Sequence, residues 1–431
     1  MKILYVTHGF PPEKLGGVEL HTAELARSVS RRHEVTVLVP TDEPSIEPFR
    51  HQTEEREGHR LVRLRAKRSG LRFEAVYWNP KLDHAFDRLL DDLRPDVVHV
   101  HSLIHLSFGF LDVLRARRIP TVMTLHDFFS VCPLGQRIRR DLDLCIDLDR
   151  ARCEECLKPK LESAFEGPWT GWPVAAARTL AARAIKAPSE ARLGAHDERM
   201  RETLRAVDLL VTPSAFHRDR FLEYGIEHDR IRVVENGLVP FRPRPPKPDA
   251  DGRIRFGYVG LVIPTKGVHI AVDAMRLVQS RNVSLEIHGN AVAHFGRTDY
   301  LDDLKSRAPE DPPVRFHGRF AGGELPDRLA GLDALIVPSL WYETFCLTAR
   351  EAFLAGVPVI ASRLGALQEA FREGEGGLFF EAGNALELAC AMDRLAGDPA
   401  LRERLRKTIP SVRTMEACAD EMMDVYDAVT T

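Results

Sequence analysis

Glu343 and Glu351, with seven residues between them, stand in the stretch Pro338 to Ala361, PSLWYETFCLTAREAFLAGVPVIA. Asp333 to Val337 reads as a strand leading into it, Leu347 to Ala355 as a helix, and Val359 to Ala361 as the next strand after a Gly356-Val357-Pro358 turn. A helix that starts directly after a parallel strand offers free backbone N–H groups to an anion. A carboxylate on the loop and another on the helix flank that anion site, an arrangement suited to a ligand with phosphate at one end and hydroxyls on either side. Two glutamates at this spacing are by themselves ordinary solvated charges. Pro338-Ser339 before them and Gly356-Val357-Pro358-Val359 after them make the pattern specific.

The elements that must hold these residues alternate along most of the chain. Strands are expected at Ile3–Thr7, Val35–Val39, Arg60–Leu64, Val97–Val100, Thr121–Thr124, Leu209–Thr212 and Ile231–Val234, with helices at Val18–Ser30, Leu82–Leu93 and Phe216–Glu223. The pattern restarts with strands Arg253–Val259, Ser284–His288, Val314–His317, Asp333–Val337 and Val359–Ala361, and helices Val268–Gln279, Tyr300–Ser306 and Leu325–Ala330. Alternation of this kind predicts parallel sheets of the α/β class. Five prolines between Pro240 and Gly252 separate the two series, a composition that resists helix and sheet and acts as a stiff spacer. The expected division is therefore 1–239, a linker at 240–252, a second domain at 253–414 and an amphipathic helix at 415–431, packing back on the first domain. Ligands of such folds collect at the carboxyl ends of the strands, so the cleft between the domains is the expected site.

Composition narrows the function classes. At 431 residues the chain suits two domains. A formal net charge of −3 gives no general attraction to nucleic acid or anionic lipid. No apolar run reaches the ~18 residues of a membrane span. Met1 to Thr7 reads as a first strand and not as a signal peptide. The expected location is cytoplasmic, with peripheral contact at the inner membrane face left open by two features. Arg60, Arg63, Arg65, Lys67, Arg68 and Arg72 form a run of cations, and Trp169 and Trp172 precede an alanine-rich stretch, Val174–Ala187, carrying Arg178, Arg183 and Lys186. Both also read as ordinary surface and packed helix.

With these pieces assembled, the chain resembles the retaining glycosyltransferases of family four across nearly its whole length. That resemblance implies the GT-B fold, two Rossmann-like domains, and transfer of a sugar from a nucleotide-sugar donor (UDP-, GDP- or ADP-linked) to a hydroxyl acceptor. It rests on Gly16-Gly17-Val18-Glu19 after the first strand, Tyr258-Val259-Gly260 with Lys266-Gly267, and the paired glutamates. By resemblance, the Gly16-Gly17 backbone and Lys266 meet the donor diphosphate, Glu343 the donor sugar, Glu351 the ribose, and the N–H groups of Phe345, Cys346 and Leu347 the phosphate. Gly318 and Arg319 lie where the base is expected. His126, ending the strand Thr121–Thr124, matches a histidine that contacts the donor sugar; His8 and His101 are candidates for the acceptor side. Catalysis would thus involve Glu343, His126 and Lys266, with no cofactor required for transfer and no enzymic nucleophile. The chain departs from the family pattern at Leu261, where an arginine is usual, at Val239, where aspartate is common, and at Cys346, where glycine is common. The first departure leaves Arg319 or Arg363 to supply a second cation. The first two favour an alternative, a sugar-nucleotide-binding scaffold without catalysis.

Cys132, Cys145, Cys153 and Cys156 fall close together, the last two as C-x-x-C. Four nearby thiolates suit tetrahedral zinc, which would pin an insert at about 132–160; unligated thiols or a disulfide are the other readings. Basic and aromatic residues are not interleaved there, which argues against nucleic acid.

Overall fold

The computed structural model describes residues 1–56, 58–67, 73–163, 188–242 and 252–431. The chain divides into two compact units. The first comprises Met1–Gly135, Ala191–Val239 and Arg413–Thr431, the second Gln136–Glu190 and Pro240–Val412.

The first unit is built on an eight-stranded sheet: β1 (Lys2–Val6), β2 (Glu34–Thr41), β3 (His51–Arg56), β4 (His59–Arg65), β5 (Val97–Val100), β6 (Thr121–Thr124), β7 (Leu209–Thr212) and β8 (Ile231–Val233), in the order β3-β4-β2-β1-β5-β6-β7-β8. All pairs are parallel except β3 with β4. β5 and β6 are buried at every position, as β-branched strands covered on both faces must be. Strand order reverses between β1 and β5, which opens a crevice at their carboxyl ends.

Helix Pro80–Leu93 shows how sequence sets a local element. Asn79 caps it by accepting from the Lys81 N–H at 3.3 Å, and proline occupies the first turn, where no N–H is needed. Leu82, Phe86, Leu89 and Leu90 bury one face, and Phe86 stacks on Phe110 of helix Gly109–Arg117 at 4.0 Å. The C-terminal helix, Met415–Thr430, belongs to this same unit. Thr414 caps it, and its buried stripe of Met415, Cys418, Met422, Val425 and Tyr426 packs on helix Gly17–Val29 and the sheet. Tyr426 Oη lies 2.7 Å from His99 Nδ1 and 3.2 Å from Tyr5 Oη, inside the core.

The second unit repeats the architecture with seven strands: β9 (Ile254–Val259), β10 (Val283–His288), β11 (Val314–Gly318), β12 (Ala334–Val337), β13 (Val359–Ser362), β14 (Arg372–Glu373) and β15 (Gly376–Phe380), ordered β11-β10-β9-β12-β13-β15-β14. Its reversal falls between β9 and β12.

Strand β3 has no apolar alternation to announce it. β3, HQTEER, forms because it pairs antiparallel with β4 and sets acids against its arginines: Arg60 meets Glu55 at 3.1 Å, and Arg63 meets Glu54 at 3.2 Å and Glu13 at 2.7 Å. Arg65 donates to the Ile46 carbonyl at 2.5 Å. The cationic run is thus spent within the fold over these positions, while Arg68 and Arg72 lie outside the described residues. So do Trp169, Trp172, Val174–Ala187 and most of the proline-rich linker. The cysteine segment also differs from its expected place in the first domain. From Gln136 onward it clusters with the second unit, where Arg140 donates to the Phe295 carbonyl at 3.1 Å and lies over the Phe295 ring.

Replacing Tyr426 by Phe removes the hydroxyl that serves His99 and Tyr5. A buried polar group left unpaired costs about 1–3 kcal/mol, so Tyr426→Phe should lower the thermal midpoint by several degrees. An unchanged melt would show that this hydrogen-bonded core contributes nothing.

Candidate active site

In the second unit, the loops leaving β9 and β12 meet at the point where strand order reverses. Gly267 adopts φ 69°, and a Cβ there would overlap the Pro338 carbonyl, so only glycine lets the two loops approach. The Leu340 N–H donates to the Thr265 carbonyl at 2.9 Å and ties them together. This contact places Lys266 beside Glu343. Lys266 Nζ donates to Glu343 Oε1 at 2.7 Å, and the same oxygen accepts from Ser339 Oγ at 2.6 Å and Trp341 Nε1 at 3.0 Å. Glu343 is buried, and Lys266 lies over the Trp341 ring at 5.0 Å. Burial pushes the Lys266 ammonium down, but the adjoining carboxylate outweighs it and holds the group above its ordinary value.

Cys346 follows at φ 63°, a left-handed conformation that explains why glycine is favoured there. It begins helix Leu347–Leu354, and the N–H groups of Phe345, Cys346 and Leu347 donate no backbone hydrogen bond among the described residues. Arg350 is buried against this turn, bonded to the Phe345 carbonyl and 4.0 Å from the Phe345 ring. Burial pushes the Cys346 thiol up to about 12, so it stays protonated. The carboxylate of Glu351, one turn into the helix, makes no hydrogen bond or ion pair among the described residues, and burial raises it to about 7. A half-buried carboxylate without a partner, beside unclaimed amides, is a site built for something else to bind. Gly318 ends β11 at φ 70°, with Arg319 exposed after it. Of the two arginines proposed to replace the cation missing at Leu261, Arg363 is already bonded to Glu373 at 3.2 Å, and Arg319 has no carboxylate partner among the described residues.

The first unit carries its own group at the β1–β5 crevice. His101 Nδ1 and His126 Nε2 are 3.0 Å apart, and His21 packs against both rings. Burial depresses all three imidazoles, His21 to about 4 and His101 and His126 well below their ordinary value, so they are neutral at physiological pH. One nitrogen from each lies within 4.8 Å of the others, the geometry of a set that could hold a metal ion. His8 Nε2 faces Glu19 Oε1 at 3.1 Å. Burial raises the Glu19 carboxyl, yet the His8 hydrogen bond and charge outweigh it and hold it below the usual range. Gly16 extends at φ −106°, which any residue adopts, and a Cβ there would meet only the tip of the Glu19 side chain.

Residues 15–240 match the sequence profile of Glycosyltransferase Family 4, and residues 253–398 that of Glycosyl transferases group 1. The chain belongs to glycosyltransferase family 4. This family 4 enzyme is 26% identical to a glycogen synthase of Mycobacterium tuberculosis over 426 residues, covering 94% of this chain and 88% of the relative. Its fold is GT-B: a sucrose-phosphate synthase from Thermosynechococcus elongatus superposes with a TM-score of 0.68 at 18% identity, covering 99% of this chain and 98% of that one. Anabaena HepE, in complex with UDP and glucose, gives 0.64 at 16% identity over 99% of this chain and 100% of that one. No described helix of the enzyme is long and apolar enough to cross a membrane.

Among the expected site residues, the structure brings together Lys266, Glu343, Phe345, Cys346, Leu347 and Glu351, and separately His101 and His126. Sequence reasoning passed over Ser339, Trp341 and Glu19. The first two lay inside the glutamate motif and were legible as donors near a carboxylate. The cysteines are divided between the units, Cys132 in the first and the others in the second. Cys145 Sγ donates to the Asp147 carbonyl at 3.1 Å and Cys153 Sγ to the Asp149 carbonyl at 3.4 Å. Among the described residues no three sulfurs converge within ligand distance; the histidine trio does.

The Glu351 carboxyl has its folded-state value raised from 4.5 to about 7, so the folded chain holds a proton that the unfolded chain releases. Its contribution is therefore greatest below pH 4.5 and is lost as pH rises to 7. Glu351→Gln should melt higher than wild type at pH 8, with the gap closing toward pH 5. A pH-independent difference between the two would contradict the shift.

Proposed function

We propose that the second unit holds a nucleotide-sugar donor at the carboxyl ends of β9 and β12. Lys266 and the amides of Phe345, Cys346 and Leu347 take the diphosphate, Glu343 the hydroxyls of the sugar, and Glu351 the ribose. The observation that carries this reading is the juxtaposition of a half-buried Lys266 paired with a buried Glu343, unclaimed helix amides and an unpartnered Glu351 carboxylate. Gly318 and Arg319 border the base, and Arg319 is the cation free to reinforce the phosphate. The UDP in the HepE structures and the ADP in that of Arabidopsis starch synthase IV support a nucleotide donor.

As the anomeric C–O bond breaks, negative charge builds on the leaving diphosphate, and fixed donors aimed at it supply several kcal/mol of stabilisation. Lys266, half-buried, is already held in place by Glu343 with its charge fixed, so little reorganisation is needed when that charge develops. The departing phosphate oxygen takes the proton of the acceptor hydroxyl as the new bond forms on the same face, which retains the anomeric configuration. His126, neutral and half-buried, is suited to accept or donate one hydrogen bond with a sugar hydroxyl, and His101 fixes its ring. The Gly16-Gly17 loop and His8 remain assigned to the diphosphate and the acceptor side. The acceptor is a hydroxyl of a glycan, a lipid-linked sugar or a small molecule.

A panel of UDP-, GDP- and ADP-sugars, followed by mass spectrometry for binding and slow hydrolysis, tests this. One donor should be bound and hydrolysed, with both diminished about tenfold or more in Glu351→Ala. If no donor binds, the site is wrongly assigned, and a product of opposite anomeric configuration would overturn the front-face step. We also propose structural zinc at Cys132, Cys145, Cys153 and Cys156, which requires the sulfurs to turn toward a common centre. Elemental analysis of untagged protein should find about one zinc per chain, and none would refute it.

A further inference from the structure

Three imidazoles meet in the first unit although three separate elements carry them. His21 stands on helix Gly17–Val29, His101 directly follows β5, and His126 lies two residues past β6. β5 and β6 pair in parallel, so their carboxyl ends deliver His101 and His126 side by side. The helix that follows β1 brings His21 against both rings, at 6.0 and 5.3 Å between centroids.

The spacing is close to that of metal ligands. Tetrahedral zinc holds imidazole nitrogens at about 2.0–2.1 Å, which sets them about 3.3 Å from one another. His101 Nδ1 and His126 Nε2 are already 3.0 Å apart, and a nitrogen of His21 completes a set within 4.8 Å. A shift of about 1.5 Å or less at one ring closes the triangle around an ion. The rings are also supported. His101 is flanked by the edge of Tyr5 at 5.2 Å and by His99 at 3.9 Å. His99 is bonded in turn to Thr124 Oγ1 and Tyr426 Oη, each at 2.7 Å. Supports of this kind hold a ligand's orientation before the ion arrives.

A second observation points to a ligand. His21 is only 5% exposed, and its Nδ1 is buried without a hydrogen-bond partner among the described residues. Such an atom costs about 1–3 kcal/mol unless something satisfies it, and an ion or a water is what does so in folded proteins. The chemistry of the set then selects the ion. Imidazole suits zinc, cobalt, nickel and copper, whereas magnesium and calcium take oxygen ligands. Three imidazoles also leave a fourth tetrahedral position to water.

We propose that His21, His101 and His126 bind one divalent transition-metal ion of the zinc and cobalt class, through one nitrogen each. The test uses the full untagged chain, stripped with a chelator and titrated with cobalt(II) alone. Cobalt held by imidazoles absorbs in the visible without the near-ultraviolet charge-transfer band that thiolates give, so binding at the cysteines is told apart. Wild type should take up one cobalt per chain in this nitrogen-only mode, and zinc should displace it. His21→Gln and His101→Gln should each weaken that mode about tenfold to a hundredfold, since losing even a group that supports a ligand costs that much. Melting curves check that each variant folds, and each stands in for the other if one does not. No cobalt uptake, uptake only with the thiolate band, or nitrogen-only binding unchanged in both variants would overturn the proposal.

Discussion

The candidate site of the second unit depends on how a buried carboxylate is satisfied. Glu343 receives three donors on one oxygen, from Lys266, Ser339 and Trp341. Removing Lys266 would leave the buried Glu343 charge without its cation, which is strongly destabilising. The pair therefore fixes the relative position of two loops that the sheet delivers independently. Gly267 permits the contact, since a side chain at that position would overlap the Pro338 backbone. The result is a cation held in place before any substrate arrives, which is what charge stabilisation in a transition state requires.

Each unit applies the same topological rule. In the first sheet the order reverses between β1 and β5, and the loops leaving those strands carry His8, Gly16 and His101. In the second it reverses between β9 and β12, and the loops carry Lys266 and Glu343. Residues remote in sequence become neighbours because adjacent parallel strands there send their chains in opposite directions, leaving their carboxyl ends uncovered. The contents of the two crevices differ. The first holds the neutral imidazoles of His21, His101 and His126, which exchange hydrogen bonds without imposing charge; the second holds a committed ion pair and an uncommitted carboxylate.

Much of this was legible in the sequence for a definite reason. Strands buried on both faces are short β-branched runs such as Val97–Val100 and Ala334–Val337, and they are hard to mistake between amphipathic stretches. The glutamate motif was legible because strand, loop, helix and turn all carried their own signals within it. β3 was not, since HQTEER has no apolar face and exists through its cross-strand ion pairs with β4. The gathering of His21 with His101 and His126 was equally hidden: His21 lies on a helix whose apolar stripe gives no hint that one member meets two strand-end imidazoles. The cysteine segment follows the second unit because Arg140 finds Phe295, a contact about 155 residues distant that no local pattern encodes.

The central claim is that Lys266 and Glu343 act as one unit in holding the donor, and a double-mutant cycle on donor affinity addresses it most directly. Dissociation constants for wild type, Lys266→Met, Glu343→Gln and the double variant would be measured with the nucleotide sugar that the enzyme hydrolyses. The account predicts strong non-additivity, with the double variant little worse than the weaker single one and a coupling of about 1–3 kcal/mol. Additive losses would mean that the two side chains meet the ligand independently, and would contradict the account.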